Sequence, residues 1–511
     1  MRKTLLAALL AWPMGLLAQN VANYQIVPLP RSIEQHEGSF TLTAQNAAQS
    51  VRTHIDPSAK RWAQYTVPDE AYEIEVGKKG IDITAATEAG LFYAQQTLRK
   101  AMQLPEASLN ELTGEYALPY VTIKDAPQFP YRGVHIDCSR HYFPVEFLKK
   151  YIDIIALHGC NVLHWHITDD QGWRFEVKKY PKLTEVGARR ANTVVGHNLP
   201  IYDDTPYGGY YTQEECREIV RYAAERHINV MPEVDLPGHM VAALASYPEL
   251  GCTGGPYETW NMWGVADDVL CAGNPQTSQF IRDVLEELID VFPSTMIHLG
   301  GDECPKERWQ QCPKCQAKIK ELGIKEHDGH TAENQLQSWL MHEAEIFLNA
   351  HGRTMIGWDE ILEGGVSDKA SIMSWRGLEG GIAAARSGHE VVMTPISHCY
   401  LNFYQSKNRD AEPFSFDGYV PLSSSYAIPV VPETLTPEEA KYIKGCQANL
   451  WAEYITSPQQ AEWMLLPRLA AICEAQWMSK EARNYEAFLE RLPYLTSYYE
   501  VLGYHYSNKR E

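Results

Sequence analysis

The sequence predicts an α/β fold, a (β/α)8 TIM barrel preceded by a small α/β domain. Two observations support this prediction. In residues 128–511, eight short apolar runs that end in polar or charged residues alternate with helical segments, which is the order of a parallel barrel. In the residues before them, an alternating hairpin pattern is followed by one amphipathic helix.

The chain is expected to contain three segments. Residues 1–18 are typical of a signal peptide, because "MRK" precedes the apolar stretch "TLLAALLAWPMGLL" and small residues end at Ala18. Residues 19–127 are expected to form the small α/β domain, and residues 128–511 the barrel with a C-terminal helical segment. On this interpretation the protein is exported, and is either periplasmic or secreted.

Three stretches define the small domain. "YEIEVGKKGIDITAA" alternates around a Gly-bounded turn and predicts a hairpin. "TEAGLFYAQQTLRKAMQL" carries apolar residues at helical spacing. "ALPYVTIKDAPQFP" predicts a strand that ends in a Pro-rich joint, and the domain boundary is expected there, near residue 128.

The barrel strands are predicted from eight runs: "YRGVHIDCSR", "NVLHWHITDD", "INVMPEVDLPGH", "TMIHLGGDE", "TMIGWDE", "SIMSWRG", "EVVMTPISHCYLN" and "CQANLWAE". Between the first two runs lies a helix that Gly159 ends, and before the third a helix begins at a capping box of Thr212 and Glu215. The connection 171–211 is long and is expected to form an extended loop over the site or at its edge.

Charge and composition argue against two classes of partner. The formal net charge of −20 disfavours nucleic acid and anionic lipid. No run after the predicted signal peptide approaches the roughly 20 apolar residues of a membrane helix. The 13 Trp and 29 Tyr would suit stacking on sugar rings, although aromatic side chains more often belong to the core.

The eleven cysteines suggest local pairing. Cys252 and Cys271 bracket a Gly-rich loop and could clip it. Cys304, Cys312 and Cys315 lie close together, and because no fourth ligand is obvious nearby we favour a local disulfide with a spare thiol over a zinc site. Four cysteines in apolar runs are expected to be buried thiols: Cys138, Cys160, Cys446 and Cys473.

In a (β/α)8 barrel the active site lies where the strands end, so the polar residues that close the runs are the candidates. Acids and tryptophans dominate this set, which suggests glycoside hydrolysis. The set comprises Arg132, Asp169, Asp170, Asp235, His239, Asp302, Glu303, Trp358, Asp359, Glu360, Trp375, Tyr400, Asn402, Trp451 and Glu453.

His164 and His166 are two residues apart in a predicted strand, so they share a face and could hold a metal. Such a site would need further ligands, for which His239 and Asp302 are the candidates. The alternative interpretation is that the two histidines orient neighbouring carboxylates by hydrogen bonding. We favour this interpretation and expect no metal and no cofactor.

Asp302 and Glu303 fit the usual retaining mechanism badly. That mechanism needs two carboxylates roughly 5 Å apart that face each other across one bond. Adjacent residues in a strand point to opposite faces unless the strand ends or bulges there. The two side chains would therefore diverge, one toward the leaving group and one toward another part of the sugar.

The stretch "HLGGDE" resembles the signature of the family 20 glycoside hydrolases, the β-N-acetylhexosaminidases. Further segments resemble the family in the right order: "YRGVHIDCSRHY", "HWHITDDQGWR", "EVDLPGH", "GWDE", "SWRG", "YLN" and "NLWAE". The similarity covers about residues 23–505, including the small domain that precedes the barrel in this family. It implies exo-acting, retaining hydrolysis of terminal β-linked GlcNAc or GalNAc, in which the substrate's own acetamido oxygen is the nucleophile.

The resemblance implies three catalytic residues. Glu303 would protonate the glycosidic oxygen and later deprotonate water. Asp302 would stay charged and bind the acetamide N–H, and its charge is expected to raise the pKa of Glu303. Tyr400 would donate its hydroxyl to the acetamido oxygen.

The resemblance also implies a set of substrate-binding residues: Arg132, Asp169, His239, Trp358, Trp375, Asn402, Trp451 and Glu453. The tryptophans would wall the pocket, while Arg132 and Glu453 would hold hydroxyls at the far end of the sugar. Asp169 and His239 would form a network that supports Glu303, with Asp235 orienting His239. Asn402 departs from the family, because many members carry Asp there.

The expected partner is a glycan with a terminal N-acetylhexosamine. Four alternatives stay open at this point: a family relative that releases a disaccharide, a glycan-binding protein on the same fold, a retaining glycosidase with two protein carboxylates, and a metal-dependent hydrolase.

Overall fold

The computed structural model describes residues 20–105, 112 and 114–510. The predicted signal peptide, residues 1–18, lies outside the described residues. Among the described residues, the structure contains no helix with both the length and the apolar character that crossing a bilayer requires.

The N-terminal part is a six-stranded mixed sheet covered by one long helix. Tyr72–Gly77 and Gly80–Ala85 form the predicted antiparallel hairpin, and the predicted helix runs from Glu88 to Met102, with Thr87 as its N-cap. The other strands of the sheet are Asn20–Val21, Ser32–Leu42, Val51–Ile55 and Tyr116–Asp125, and two further helices are short, Ala47–Ser50 and Ala59–Trp62.

The second part is a closed barrel of eight parallel strands that are neighbours in chain order. All eight predicted runs form a strand, and polar residues follow the strands at one end of the barrel. The barrel strands, numbered one to eight in chain order, are Tyr131–Asp137, Val162–His166, Asn229–Leu236, Met296–Gly300, Thr354–Trp358, Ser371–Ser374, Val391–Met393 and Ile443–Ala448.

Helices lie between all consecutive strands except strands five and six, and bury their apolar faces in the core that surrounds the barrel. The main connecting helices are Val145–Leu157, Gln213–Ala224, Pro275–Val291, Ala332–Ala350, Glu379–Arg386, Leu422–Tyr426 and Pro437–Ala440. Shorter helices in the connections are Lys182–Glu185, Val241–Ser246, Glu307–Gln311, Pro313–Leu322 and Ile396–Cys399. Three helices follow the last strand, Pro458–Leu465, Arg468–Trp477 and Tyr485–Leu502.

The fifth β-then-α unit departs from the predicted regular alternation. Strand five is followed only by the 3-10 turn Asp359–Leu362 before strand six begins at Ser371. Residues 359–370 therefore connect these two strands without an α-helix. Asp359 instead accepts hydrogen bonds from Ser374 Oγ and the Trp375 N–H, at 3.2 and 3.3 Å, and so joins the ends of the two strands directly.

The two parts share buried contacts at the end of the barrel where the strands begin. Trp477, in the helix after strand eight, belongs to the apolar core of the small sheet. Its indole N–H donates to Asp125, with Nε1–Oδ2 at 3.0 Å, at the end of the last strand of that sheet. The small domain therefore contacts the barrel near the end opposite to the polar residues.

The cysteines that were predicted to be buried thiols are buried: Cys138, Cys160, Cys446 and Cys473. The predicted disulfide among Cys304, Cys312 and Cys315 is wrong, because all three are free thiols. Cys304 is not part of the cluster that Cys312 and Cys315 form; the sulfurs of Cys252 and Cys271 complete it instead.

Candidate active site

A pocket of about 180 Å³ opens at the end of the barrel where the strands finish. Ten of the eleven residues predicted for the site line it: Asp169, His239, Asp302, Glu303, Trp358, Trp375, Tyr400, Asn402, Trp451 and Glu453. The pocket is also lined by Arg140, Asp235, Gly264, Val265, Ile396, Phe403 and Phe416.

Arg132 is the predicted site residue that does not line the pocket. It is the second residue of strand one, so it lies at the opposite end of the barrel. Its Nη2 donates to Glu70 Oε2 at 2.6 Å and to the Tyr93 hydroxyl at 2.9 Å, both in the small domain. Its Nε and Nη1 donate to the Gly159 and Phe129 carbonyls, at 2.7 and 2.8 Å. The assignment of Arg132 to the sugar is therefore wrong, since all three guanidinium nitrogens already have partners at this end of the barrel.

Arg140 is the arginine that lines the pocket. It follows the same strand at the correct end, and its Nη2 lies 2.8 Å from Asp169 Oδ2. Its guanidinium also donates to Gln171 and Asp137 and stacks over the Trp451 ring at 5.1 Å. These contacts hold a buried cation rigidly at the wall of the pocket.

The two glycines before the acidic pair make the turn that aims it. Gly300 has φ of 63°, and a Cβ there would lie 1.7 Å from Asp235 Oδ1. Gly301 has φ of 95°, and a Cβ there would lie 2.3 Å from the Ile361 side chain. Only glycine can adopt these backbone conformations without a clash between a Cβ and its neighbours. Strand four therefore ends here, and Asp302 and Glu303 lie in the turn that follows it.

Glu303 is held in a left-handed backbone conformation with φ of 44°. The two acids differ in burial: the Asp302 side chain is 11% exposed and that of Glu303 is 41% exposed, while Asp302 Oδ2 lies 3.9 Å from His239 Nε2. Glu303 points toward His239, with Oε2 at 3.4 Å from Nε2. A non-glycine residue in this conformation costs free energy.

His239 bridges Glu303 to two further carboxylates. Its Nδ1 lies 3.2 Å from Asp169 Oδ1 and 3.2 Å from Asp170 Oδ2. Burial opposes a charge on this ring, but Asp169 and the other acids raise its pKa well above the usual value, so His239 is a cation. The predicted network of Asp169, His239 and Glu303 is confirmed.

Asp235 does not orient His239, contrary to prediction. Its Oδ1 accepts the Gly301 N–H at 3.3 Å, and its own N–H donates to Thr168 Oγ1 at 3.1 Å. Burial and the neighbouring Asp302 raise the pKa of Asp235 well above its usual range. This carboxyl therefore supports the glycine turn in its neutral form.

The predicted direction of the Glu303 pKa is wrong for the ligand-free pocket. The hydrogen bond from His239 lowers the pKa of Glu303, despite its partial burial. Asp302 is adjacent in the sequence, but the His239 cation opposite has the larger effect on this carboxyl. In this state Glu303 is charged at neutral pH.

Asp302 is the carboxyl whose pKa is raised. Burial raises it to about 6, the cation of His239 opposes this shift, and the charge of Glu303 adds to it. One of its oxygens, Oδ1, is buried and has no hydrogen-bond partner within the described residues. A buried carboxylate oxygen without a donor is costly unless a ligand supplies one.

Beneath the pocket, Glu233 on strand three contacts three buried histidines from strands two and four. Its Oε1 lies 2.9 Å from His298 Nδ1, and its Oε2 lies 3.1 Å from His164 Nε2 and also contacts His166. His166 extends the network upward, with Nε2 at 2.9 Å from Asp169 Oδ2. The interpretation of the H-W-H pair as carboxylate-orienting residues is confirmed for His166.

Some groups in and below the pocket have the donor types and spacing of metal ligands, including Asp235, His239 and Asp302. His239 is a poor ligand there, because its Nδ1 is held by two carboxylates and its ring is cationic. A cationic imidazole repels a metal ion and has no free lone pair. The arrangement suits proton transfer at Glu303 instead.

Aromatic rings form the walls of the pocket. The ring centroids of Trp358 and Trp451 are 5.8 Å apart, and Trp375 stacks on Tyr400 at 6.0 Å with 23° between planes. Trp358 is fixed from below, because its Nε1 donates to Glu233 Oε1 at 2.9 Å. Such walls match the apolar faces of a sugar ring and of a small methyl group.

Trp375 is fixed by Glu360, which accepts its indole N–H at 2.9 Å. Burial and the nearby Asp302 raise the pKa of Glu360 to about 9. Burial also raises the pKa of Tyr400 well above its usual value, so its hydroxyl remains a donor at neutral pH.

Two polar atoms at the far side of the pocket are buried without partners in the described chain. They are Asn402 Oδ1 and Glu453 Oε2. Burial raises the pKa of Glu453 to about 7, and the positive charge of Arg140 opposes that shift. Together with Asp302 Oδ1, these atoms provide three acceptors that a polyhydroxylated ligand would satisfy.

The 171–211 connection supports the site from behind and contributes no lining residue. Arg190 Nη1 donates to the Arg140 carbonyl at 2.9 Å. The outer wall comes instead from Gly264 and Val265 in the following connection, and from Phe403 and Phe416. These four had no sequence signal, whereas Arg140 could have been found, because it closes the first run while Arg132 begins it.

Two family models match this chain. "Glycosyl hydrolase family 20, catalytic domain" matches residues 129–480, and "Glycosyl hydrolase family 20, domain 2" matches residues 45–126. The chain belongs to glycosyl hydrolase family 20. The predicted resemblance is therefore confirmed, and the protein is a glycoside hydrolase.

Similar proteins agree with the family. A Beta-hexosaminidase of Porphyromonas gingivalis is 44% identical over 83% of this chain, which spans only 53% of that relative. A Beta-hexosaminidase of Vibrio furnissii is 34% identical over 89% of this chain and 77% of its own. The structure of an exo β-N-acetylglucosaminidase of Vibrio harveyi with bound N-acetylglucosamine matches at a TM-score of 0.81 and 31% identity, over 96% of this chain and 79% of that one.

Proposed function

We propose that this family 20 protein is an exo-acting, retaining β-N-acetylhexosaminidase that removes terminal β-linked GlcNAc or GalNAc from glycans. The names of the relatives support the substrate class. The observation that carries the mechanism is Asp302 Oδ1, a buried and unpaired oxygen next to Glu303. An acetamide N–H is the donor that this oxygen would bind.

The substrate's acetamido carbonyl oxygen is the nucleophile. It attacks the anomeric carbon and forms an oxazolinium ring, while the bond from that carbon to the leaving oxygen breaks and Glu303 gives its proton to the departing oxygen. Asp302 holds the acetamide N–H and stabilises its growing positive charge, and Tyr400 donates a hydrogen bond to the attacking oxygen. Glu303 then takes a proton from the water that opens the ring, which restores both groups and retains configuration.

Substrate binding has to move the proton within the acidic pair. In the ligand-free pocket Asp302 holds it more tightly than Glu303. An N–H donated to Asp302 favours its charged form, and a sugar that covers Glu303 disfavours the charge there. Both effects shift the proton to Glu303, where the leaving oxygen needs it.

The walls and the size of the pocket favour one terminal sugar over a disaccharide. Its volume of about 180 Å³ is below the roughly 300–1,000 Å³ of sites for drug-sized ligands. Trp358, Trp375 and Trp451 enclose the acetamido methyl and the ring face. Arg140 and Glu453 hold the hydroxyls at the far end, and Asn402 adds a neutral contact.

The test is hydrolysis of a chromogenic β-GlcNAc beside the matching β-glucoside, by the wild type and by Glu303→Gln. Cleavage of the first substrate alone, reduced about 10²- to 10⁴-fold by the substitution, is the expected result. Equal cleavage of both sugars would contradict acetamido participation and indicate a protein nucleophile. Binding without cleavage of either sugar, or of longer glycans, would indicate a glycan-binding protein.

We also propose that the protein is exported, on the composition of residues 1–18. Determination of the N-terminal sequence of the protein isolated from its own cells tests this proposal. A mature chain that begins shortly after Ala18 is expected, and an intact N-terminus in the cytoplasmic fraction would contradict it.

A further inference from the structure

Four cysteines from two connections of the barrel bring their sulfurs together. Cys252 and Cys271 lie in the connection after strand three, and Cys312 and Cys315 lie in the connection after strand four. Their four sulfur atoms all lie within 4.8 Å of one another. We propose that this cluster is a structural zinc site with four thiolate ligands.

The distances between the sulfurs fit a metal better than a pair of disulfides. Cys271 Sγ is 3.7 Å from both Cys312 Sγ and Cys315 Sγ, and Cys252 Sγ is 3.9 Å from Cys315 Sγ. A tetrahedron of sulfurs around zinc at 2.3 Å has edges of about 3.8 Å. Disulfides would instead divide the four sulfurs into two close pairs, whereas Cys271 is equally near to two partners.

The backbone around the cluster is arranged for close approach. Cys312 is the N-cap of the helix Pro313–Leu322, so Cys312 and Cys315 both lie at its positive end, which favours thiolates. A Cβ at Gly273 would lie 2.2 Å from the Lys314 carbonyl carbon and oxygen. Gly273 therefore lets the two ligand segments touch.

The donor set indicates the metal. Four sulfurs without a carboxylate or an imidazole prefer zinc among the common divalent cations, and four protein ligands leave no open position for catalysis. Cys271, Cys312 and Cys315 are buried, and Cys252 is half-buried at the edge. The site is closed, which is the property of a structural metal.

The position of the cluster suggests what the metal stabilises. The segment between Cys252 and Cys271 contains Gly264 and Val265, which line the pocket. Cys312 follows Glu303 by nine residues along the next connection. The metal would tie one wall of the pocket to the segment that carries the general acid.

The direct test is metal analysis of the full chain, purified without chelators and without added metal. About one zinc ion per chain is expected for the wild type, with none in Cys315→Ser. Cys304→Ser is the matched control, because Cys304 is close in sequence but outside the cluster, and it should keep the metal. Replacement of the metal by Co²⁺ should give the absorption of a tetrahedral cobalt–thiolate centre.

Two further experiments test the proposal if the Cys315→Ser protein does not fold. Cys252→Ser removes the half-buried ligand, and treatment of the wild type with a zinc chelator removes the metal alone. Both should lower the melting temperature and raise KM more than they lower kcat, and added zinc should reverse the effect of the chelator.

Two results would overturn the proposal. The first is a metal-free wild type whose four cysteines are oxidised to disulfides, or stay reduced without taking up Zn²⁺ or Co²⁺. The second is zinc that persists in Cys315→Ser. Neither result would affect the proposed hydrolase, because metal content and thiol titration are read without a substrate.

Discussion

His239 and Glu303 face each other at 3.4 Å, and both hold a left-handed backbone, with φ of 51° and 44°. Each residue follows a glycine-containing turn at the end of a neighbouring barrel strand. The two residues that we propose as a proton-transfer pair therefore both hold a strained backbone. Because a cation faces the proposed general acid, the ligand-free protein keeps Glu303 charged, and below about pH 6 the proton of the pair is held on Asp302.

The pH dependence of kcat/KM should report this pair. The reactive state needs one proton shared by Asp302 and Glu303, and in the free enzyme that proton leaves Asp302 with a pKa of about 6. The value of kcat/KM for a chromogenic β-GlcNAc should therefore fall as pH rises above about 6. In His239→Gln the falling limb should move up by about one pH unit, because loss of the cation raises both carboxyl pKa values. An unchanged limb would contradict the role of His239.

Asp302→Asn should be less active and more stable at alkaline pH. The folded-state pKa of Asp302 is raised, so its contribution to stability is present at low pH and is lost as pH rises through about 6. Above that value the buried charge costs about 2–3 kcal/mol at most, which asparagine avoids. Urea unfolding at pH 8 and at pH 5 should show a gain that is larger at pH 8. A gain that is equal at both pH values, or absent, would contradict this account.

The correction from Arg132 to Arg140 can be tested with a matched pair of variants. Both side chains are buried and ion-paired, so Met at either position should lower stability, by roughly 3–5 kcal/mol where a partner is left unpaired. Only Arg140→Met should raise KM for the sugar, because only Arg140 lines the pocket. Steady-state kinetics of the folded fraction, with unfolding curves as the control, distinguishes them. A raised KM in Arg132→Met with a normal value in Arg140→Met would restore the original assignment.

Gly300→Ala should be far more damaging than Gly323→Ala. Both glycines have nearly the same φ, 63° and 66°, but only at Gly300 would a Cβ meet another atom, Asp235 Oδ1 at 1.7 Å. Gly323→Ala should lower the free energy of unfolding by about 1–2 kcal/mol, because alanine disfavours the left-handed backbone conformation. The free energy of unfolding in urea measures both, and equal losses would show that the contact with Asp235 relaxes without cost.

The strands and most of the site could be predicted because they depend on local pattern. Each strand end is a short apolar run followed by polar residues, and barrel topology brings those ends together. Arg132 does not reach the pocket because it lies at the start of the first strand, whereas residues that follow the end of a strand do. Glu233 was predictable too: it is two residues before Asp235, so both point into the barrel.

Other features depend on distant contacts that no local pattern encodes. The direction of the Glu303 pKa depends on His239, which is 64 positions away in the chain. The cysteine cluster combines Cys312 and Cys315 with Cys252 and Cys271, which lie in a different connection. The spacing of cysteines along the chain therefore does not reveal four ligands. The apolar wall of Phe403 and Phe416 arises from a small pair of strands, Phe403–Tyr404 and Phe416–Tyr419, outside the barrel.

Arg132 links the barrel to the small domain. Its partners Glu70 and Tyr93 belong to the small domain, and Trp477 from the far end of the chain completes the core of that domain. A shortened protein that began at the first barrel strand would leave a buried guanidinium without its anion and an exposed tryptophan. The barrel therefore depends on the small domain for these contacts. An experiment that transfers the site to another protein has to include both domains.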